Sequence, residues 1–580
     1  MRRLFAALLS ALFVASVLTA CATSGGVISG TVINLGQIGE ISSINPDIAG
    51  SLGGKRNAEE LANLTTAKFY ELDAAGRLQP NTKLGTVEVV SKSPLTVKYT
   101  VVDSAVWSDG TPIDAADLLL SWVAASGRDN FYSMRSGSGL MFAEPVGKSN
   151  VGDRSITLRF AQPVADYETA ITLSVAAHTV ARIGAANFTV AEAKQRVLDA
   201  IQKPDVNDLA VLAQRYRSGF NAWQGITDDK LFVSSGPYSV VKCAGVLGLQ
   251  LKANTNFNLG PTPTIETVNL TYFADATTAV AALSDGKIDA TTTQDSGLVT
   301  LSDLINLTTG ITDPKANIAV KASSTAEQII FNFRPEGRFS AAHQGGDEAK
   351  ALKLRQAFMN IIPRQRIVAG LNGAYKVALA DSLVFQSGSP YYQASVRDNG
   401  LSEYLFQDVE KASEMLAASG IELPMRVRVA YDINSPRAQA EWILLRERAA
   451  SAGFKLRAVG GEDLAETLRT GAFDVFIGAQ PIVSLEGQNV FSLTASSFVG
   501  FESAKVDSLL SDFASAEDER GRASALKAID AELIAEAYGM PLYEVAALII
   551  YSDRLAGFTP SPRSESVTWG YQNWKLSTNK

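Results

Sequence analysis

Apolar and polar residues alternate along "GGVISGTVINLGQIGEISSINPD", residues 25–47, and the alternation breaks at Asn45-Pro46. A period of two with a terminal Asn-Pro predicts a first strand running into a loop. "LANLTTAKFYELDAAGRLQP" predicts a helix and then a turn. "GTVEVVSKSPLTVKYTVV" is two alternating runs around Ser93-Pro94, the pattern of a hairpin. In "WSDGTPIDAADLLLSWVAAS", Asp109-Gly110 is a turn dipeptide and Asp114 a helix cap. An apolar stripe follows at Leu118, Leu119, Trp122 and Val123. "SITLRFAQP" alternates as a strand, "TVAEAKQRVLDAIQ" and "DVNDLAVLAQRYRSGFNAW" have the helical period, and "SSGPYSVVK" and "GLQLKANTNF" are strands again.

From residue 266 onward strand and helix alternate. "ETVNLTYFADATTAVAALSDGKIDAT" opens this part, and "KLRQAFMNIIPRQRIVAGL" is a helix kinked at Pro363. "MRVRVAYD", "KLRAVG" and "FDVFIGAQ" read as strands, separated by the helices "RAQAEWILLRERAASAGF" and "DLAETLRTG". Such alternation predicts an α/β lobe with a largely parallel sheet. The segment beginning "SALKAIDAELIAEAYGMPLYEV" predicts a helix, a break at Pro541 and a strand. No repeat of 20–50 residues is evident.

The first residues follow a different rule. Met1-Arg2-Arg3 is positive, and Leu4 to Leu18 is apolar except for Ser10 and Ser16. That is the form of a secretory signal; its 15 residues fall short of the roughly 20 a membrane span needs. Leu18-Thr19-Ala20-Cys21 resembles a bacterial lipobox, in which the cysteine is lipidated and becomes the new N-terminus. "ATSGG" after it suits a flexible tether. Cys21 is therefore expected to be an anchor. Cys243, the other cysteine, sits in an alternating segment and is expected to be a small buried hydrophobe.

Composition narrows the function. With 580 residues, 46% apolar and 19% charged, the chain is globular and long enough for two or three domains. The net charge of −8 becomes about −10 without Arg2 and Arg3. No long basic run supports nucleic acid as a partner. His178 and His343 each stand alone, which gives a zinc site or a histidine-based hydrolase no sequence support. "GSG" at 137–139 lacks the spacing and lysine of a phosphate loop, and "GGE" at 460–462 is a turn.

The order of these landmarks resembles the family 5 solute-binding proteins of ABC importers. "VWSDGTPIDAADLLLSW", "SSGPYSVV", "KANTNFNLGPTPTIETVNLTYFADATTAVAALSDGKIDA", "IIFNFR", "LRQAFMNIIPRQRIV" and "GAFDVFIGAQ" carry the likeness, from about residue 30 to 560. It implies an α/β, two-lobed class II periplasmic-binding-protein fold with a hinge and an extra subdomain on the first lobe. The expected division is a signal peptide at 1–20, a lipidated tether at 21–30 and lobe I at 31–275, with the subdomain at about 65–180. Lobe II is expected at 276–520, with a return to lobe I at 521–580. The residues of the Ser-Asp-Gly-Thr-Pro signature are expected to be structural.

The resemblance further implies a receptor, not an enzyme. It would capture peptide or peptide-like solutes by hinge closure and deliver them to ABC permease and ATPase subunits. It would work as a lipid-anchored extracytoplasmic monomer with no metal or cofactor. A lipid-anchored hydrolase, or a sensor or scaffold reusing the fold, are the alternatives. Ligand contacts are expected from loops at strand ends: Ser42, Ser43 and Asn45 in one lobe, and Asp432, Asn434 and Gln480 in the other. Peptide receptors of this family usually place an aspartate for the α-amine a few residues after the Gly-x-Phe-Asp strand. Val483 falls there, and the next acid is Glu486. Recognition of a free α-amine would then need Glu486 or another acid.

Overall fold

The computed structural model describes residues 26–577 apart from 49–51, 129–130, 132, 134–138, 186, 204–205, 294–299, 310, 312–314, 462, 484–492, 494–496, 517 and 563. Cys21 and Glu486 therefore lie outside the described residues.

The first strand, β1 (Ile28–Ile38), puts Ile33 and Leu35 into the core and is followed by a helix, Leu52–Thr65. That helix begins earlier than its sequence pattern predicts. Residues 70–80, read as helix and turn, instead pair as β2 (Tyr70–Leu72) and β3 (Leu78–Pro80) around the Asp73 turn. The Asp73 carboxylate accepts the Ala75 and Arg77 amides at 2.9 Å each, so the turn closes a hairpin.

A four-stranded antiparallel sheet comes next, built from β4 (Gly85–Lys92), β5 (Leu95–Val101), β6 (Ala143–Pro145) and β7 (Ser155–Phe160) in the order β4-β5-β7-β6. The hairpin expected at Ser93-Pro94 is the β4–β5 turn. The helix Ala115–Ser126 packs on this sheet and against the helix Val190–Gln202. Asp114 and Asp117 form a capping box at its start and Gly127 ends it in the left-handed conformation. All twelve of its residues are buried, not one stripe, because the sheet and the neighbouring helix cover both sides.

The signature before that helix has a structural role. The Asp109 carboxylate accepts from the Thr111 amide at 2.9 Å and lies 2.9 Å from His178 Nε2. Burial pushes its pKa up, but the His178 and Thr111 hydrogen bonds outweigh that and hold it at about 2. Buried Lys194 bridges Asp114 at 3.1 Å and Asp117 at 2.8 Å.

The chain then builds the main sheet with β8 (Tyr238–Cys243), β9 (Gly248–Ala253), β10 (Ile265–Phe273), β11 (Ala290–Thr292), β12 (Ala316–Phe331), β13 (Ala378–Leu379), β14 (Met425–Ala430), β15 (Phe454–Val459), β16 (Val475–Pro481) and β17 (Gly539–Ser552). Its order is β15-β14-β16-β12-β17-β11-β1-β10-β9-β8, with β13 on β17. A last pair, β18 (Leu555–Ala556) and β19 (Lys575–Leu576), closes the chain.

The sheet is mixed, which corrects the largely parallel expectation. β15/β14, β14/β16, β11/β1 and β1/β10 are parallel, whereas β16/β12, β12/β17 and β17/β11 are antiparallel. The physical reason is the route of the chain. β12 carries it out of one core and β17 carries it back, so the two run in opposite senses.

One core gathers residues from Ile33 to Ala290 with Ile549 and the C-terminal segment to Trp574. A second gathers Ile329 to Val545, with Ala165 from the first half of the chain. A third, smaller cluster joins Ile38 and the helices Ala276–Ser284 and Leu301–Thr309 to Ala546, Leu548 and Ile550. The passage from the first core to the second falls inside β12 and β17. Leu283 packs with Ile38 and Leu548 on the first-lobe side, while Leu526, Ile529 and Leu533 of the helix Glu519–Ala535 belong to the second core.

At the crossing, the β12–β17 register slips between Ala322 and Ala326. Gln386 donates to the Ala322 and Ser323 carbonyls at 3.2 and 2.9 Å, satisfying acceptors at the slip. Pro541 does not break the chain as expected. The break is at Ala537, with φ +49°, and Pro541 sits within β17 beside a second irregularity, between Glu327 and Gln328, where a missing N–H costs no regular ladder bond. At Pro363 the single kinked helix expected is instead two helices, Glu348–Asn360 and Arg364–Tyr375.

Candidate functional site

The carboxyl ends of the central strands in each lobe point toward the other lobe. β11 runs from Ala290 opposite Tyr551 to Thr292 opposite Ile549, hence toward the crossing, and β1 and β10 run parallel with it. β16 runs from Val475 opposite Phe331 to Pro481 opposite Thr325, again toward the crossing, and β14 is parallel to it. Ligands of open α/β sheets sit outside such carboxyl ends.

On the first-lobe side three neighbouring strands end in polar residues. Gln37 pairs in register with Tyr272, and since Gly36 pairs with Thr291, the next step across is Thr292. Leu35, Leu270 and Ala290, two residues earlier on the same three strands, are core residues on that face. Gln37 and Thr292 are each 1% exposed. Both amide atoms of Gln37, the Tyr272 hydroxyl and the Thr292 hydroxyl are buried without a hydrogen-bond partner. Burial, and then the nearby Cys243, push the Tyr272 hydroxyl well up, so it remains a neutral donor.

The loop after β1 and the helix that follows it hold further such groups. The Ser42 hydroxyl is also buried without a partner, as is Asn57 Oδ1. Asn57 spends its amide nitrogen on the Ile38 and Glu40 carbonyls, at 3.0 and 3.3 Å. Ser43 and Asn45, expected at the ligand, are committed internally. Ser43 Oγ donates to the Phe220 carbonyl at 3.2 Å, and Asn45 Nδ2 donates to that of Tyr216 at 3.0 Å. Of the three loop residues named from sequence, Ser42 alone has a side chain that these bonds leave unoccupied.

On the second-lobe side, Gln480 sits in β16 opposite Ala326, half-buried, its Nε2 donating to the Ala479 carbonyl at 2.9 Å. Val483 is 5% exposed and belongs to the second core. Asp432 and Asn434 are exposed, and the Asp432 carboxylate accepts the Asn434 amide at 2.9 Å, an Asx turn before the helix Pro436–Ala449.

That helix brings a buried charged group to the crossing that the sequence did not reveal. Arg437 Nη2 lies 3.0 Å from Glu327 Oε2, and its Nε is 3.9 Å from Glu441 Oε1. Tyr543, opposite Glu327 on β17, donates its hydroxyl to Glu441. Burial pushes Glu441 up to about 7 against the pull of Tyr543 and Arg437, and burial with the neighbouring Glu441 pushes Glu327 well up. On the other face of the crossing, the Glu544 carboxylate accepts from the Ser387 amide and hydroxyl.

The lobes also touch away from the crossing. Arg522 Nη2 of the second core lies 3.4 Å from Glu168 Oε2 of the first-lobe helix Tyr167–Ala170. A hollow of ≈ 390 Å³ lined by Pro424, Arg446, Phe454 and Lys455 lies at the starts of β14 and β15, the end of the sheet remote from lobe I. Among the described residues no group of three or more His, Cys, Asp or Glu could hold a metal ion, and no described helix is long and apolar enough to cross a membrane.

Two lobes joined by two crossing strands, with strand carboxyl ends facing each other, are the architecture of the hinged, two-lobed class. The profile of the middle region of the bacterial extracellular solute-binding proteins, family 5, matches residues 79–501, and the chain belongs to that family. The family is a non-catalytic, extracytoplasmic class whose members bind peptides or related small ligands and work with ABC permeases. An uncharacterised lipoprotein of Mycobacterium tuberculosis is 24% identical over 592 residues, covering 98% of this chain and 96% of that protein. Among solved structures, the periplasmic EDTA-binding protein EppA has a TM-score of 0.74 at 18% identity, covering 96% of this chain and 98% of its own. The oligopeptide-binding protein AppA of Bacillus subtilis, in complex with a nonapeptide, has a TM-score of 0.62 at 15% identity, covering 94% and 99%.

Proposed function

We propose that the protein is the solute-capturing receptor of an ABC importer. It takes peptide or peptide-like solutes between its lobes, closes about β12 and β17, and presents the closed form to the permease. The observation that carries this reading is the row Gln37–Tyr272–Thr292, with Ser42, at strand ends that face the second lobe. Gln480 would contribute from the opposite lip. One neighbour of the same fold holds a nonapeptide and another is named for EDTA, so the fold admits more than one solute. The low charge of this row favours peptide-like solutes over a chelated metal. Val483, buried and apolar, supplies no carboxylate for an α-amine, which favours solutes that do not depend on one.

Cys21 would hold the receptor at the membrane as a monomer, within reach of its transporter. Closure is a population shift, so the solute must bind the closed state better than the open one. Small-angle scattering and thermal melting test this together. A solute at a hundred times its Kd should stabilise the protein by about 2.7 kcal/mol and reduce its radius of gyration. A solute that binds tightly and leaves the scattering curve unchanged would rule out capture by closure.

A further inference from the structure

The far end of the second lobe carries an unbalanced charge. β14 and β15 are parallel neighbours, and Arg426 pairs in register with Lys455, and Arg428 with Arg457. Met425, Val427 and Val429 alternate with the β14 arginines and turn into the second core, as does Phe454 of β15, so the four cations share the opposite face. Neighbouring strands lie about 4.8 Å apart and same-face residues of one strand about 6.6 Å apart, which makes this a compact block of like charge. Arg338 joins it from the turn after β12, its guanidinium donating to the Arg426 carbonyl at 3.2 Å. The acid within the block is Asp474, taken up by Arg338 and Arg428 at 3.1 and 2.7 Å. Exposed acids flank the block at Glu422, just before β14, and at Glu336, whose carbonyl accepts from Arg428. Arg426, Lys455 and Arg457 are exposed, and none of them forms an ion pair among the described residues. The block is basic in a chain whose net charge is −8.

Charged side chains on an edge strand keep it from pairing with another chain, and β15 is an edge of the main sheet. That need accounts for Lys455 and Arg457. It does not account for Arg426, on the inner strand β14, or for Arg338. Like charges directly opposite each other destabilise a sheet, so packing alone does not favour Arg426 beside Lys455. We propose that this face rests on the anionic lipid headgroups of the membrane to which the receptor is attached. Phosphates at such a surface supply the counter-charge that the sheet withholds, and clustered basic residues are drawn to it. The proposal goes beyond solute capture and takes from that reading only the anchor at Cys21. The segment from Cys21 to Ile28 reaches at most about 3.5 Å per residue, which keeps the body of the protein close to the membrane. β1 begins at the end of the first lobe away from the crossing, whereas β14 and β15 begin at the end of the second lobe away from the first. Anchor and basic face thus hold opposite ends of the molecule, and the receptor lies along the membrane instead of standing on its tether. With the anchor in place the second contact is intramolecular, so a weak attraction is enough.

The test is co-sedimentation of the mature chain carrying Cys21→Ser, so that no acyl chain contributes, with two sets of vesicles. One set is phosphatidylcholine alone and the other equal parts of phosphatidylcholine and phosphatidylglycerol. The protein should bind the second set at least tenfold better at low ionic strength. It should lose that preference near 1 M salt, where the screening length is about 3 Å. Arg426→Gln, Lys455→Gln and Arg457→Gln together should abolish the preference while leaving the melting temperature unchanged. A control with Arg159→Gln, Arg217→Gln and Lys242→Gln removes the same charge from exposed first-lobe positions and should keep the preference. If the first triple variant melts early, Lys455→Gln alone, on the edge strand, is read in its place and should still weaken binding severalfold. Equal binding to both sets of vesicles, or binding to neither, would overturn the proposal. An equal loss in the control would overturn it as well, assigning the attraction to charge spread over the whole surface. Retention on immobilised polyglutamate without binding to the anionic vesicles would assign the face to an acidic protein and overturn the membrane contact. Solute capture stands in each of these cases, because scattering and melting of the unanchored chain read it separately.

Discussion

Asp474 has no exposed side-chain surface, yet it is surrounded by donors. Its carboxylate accepts the Arg338 and Arg428 amides at 3.0 and 2.7 Å, and the guanidinium of Arg428 lies 2.7 Å away. This acid belongs to the Gly-x-Phe-Asp stretch that made the sequence resemble its family, and its role is to tie β14 and the turn after β12 to the start of β16. Asp474→Ala should cost on the order of 3 kcal/mol, because it strands buried donors, and a denaturant melt would register it. A loss under about 0.5 kcal/mol, the range of an ordinary surface change, would mean that water replaces the carboxylate. The signature aspartates Asp109, Asp114 and Asp117 are explained in the same way, by hydrogen bonds within their own subdomain. Such residues are legible in the sequence as motifs, although their partners lie far along the chain: Arg338 is 136 residues from Asp474 and Ala177 is 60 from Asp117. Gln37 was legible too, as the one polar residue in the series Ile33, Leu35, Gln37. The strand's alternation drew attention to the loop beyond it instead.

Among the elements, the helix Pro436–Ala449 seats Arg437 and Glu441 on the strands that join the lobes. Two carboxylates and one arginine leave one acid without a full counter-charge, so the group retains a proton. The folded protein then binds more protons here than the unfolded chain between the ordinary value of 4.5 and about 7. Stability contributed by this group therefore falls as pH rises through that window. Glu441→Gln keeps the hydrogen bond from Tyr543 and removes the titration. Its stability should vary less between pH 4.5 and 7 than that of the wild type, as followed by urea melts at several pH values. Parallel profiles for the two proteins would show that Glu441 does not titrate in the window.

At the scale of the molecule, the Arg522–Glu168 contact is made across the lobes with side chains 6% and 22% exposed. Ala165 lies close by in chain order and also packs into the second core. Arg522→Ala should release this contact and shift the ligand-free population toward the open form, with a larger radius of gyration in small-angle scattering. An unchanged radius would show that the crossing strands alone set the angle between the lobes. The anchor makes a separate prediction. Cys21→Ser should free the protein from the membrane fraction, since acyl chains contribute about 0.8 kcal/mol for each buried methylene. A mutant that loses its signal segment and still sediments with membranes would refute the lipidation.

The sequence by itself determined the elements whose causes are local. Alternation placed β1, β4, β5, β14 and β16, the Asp114 cap placed the buried helix Ala115–Ser126, and Pro363 marked an interruption of helix. The ordered motifs that these elements carry also determined the family. What only the tertiary structure decided depends on residues far apart in the chain. Pro541 fits inside β17 because the partner strand slips there, which no local pattern reports. The passage between the cores falls inside β12 and β17 because helix packing, not the alternation of elements, assigns a segment to a core. Glu327 and Arg437 meet across 110 residues, and Gln37 and Tyr272 become neighbours only when β1 and β10 are in register. The partners a polar side chain finds, and those it lacks, are fixed only when distant strands come into register.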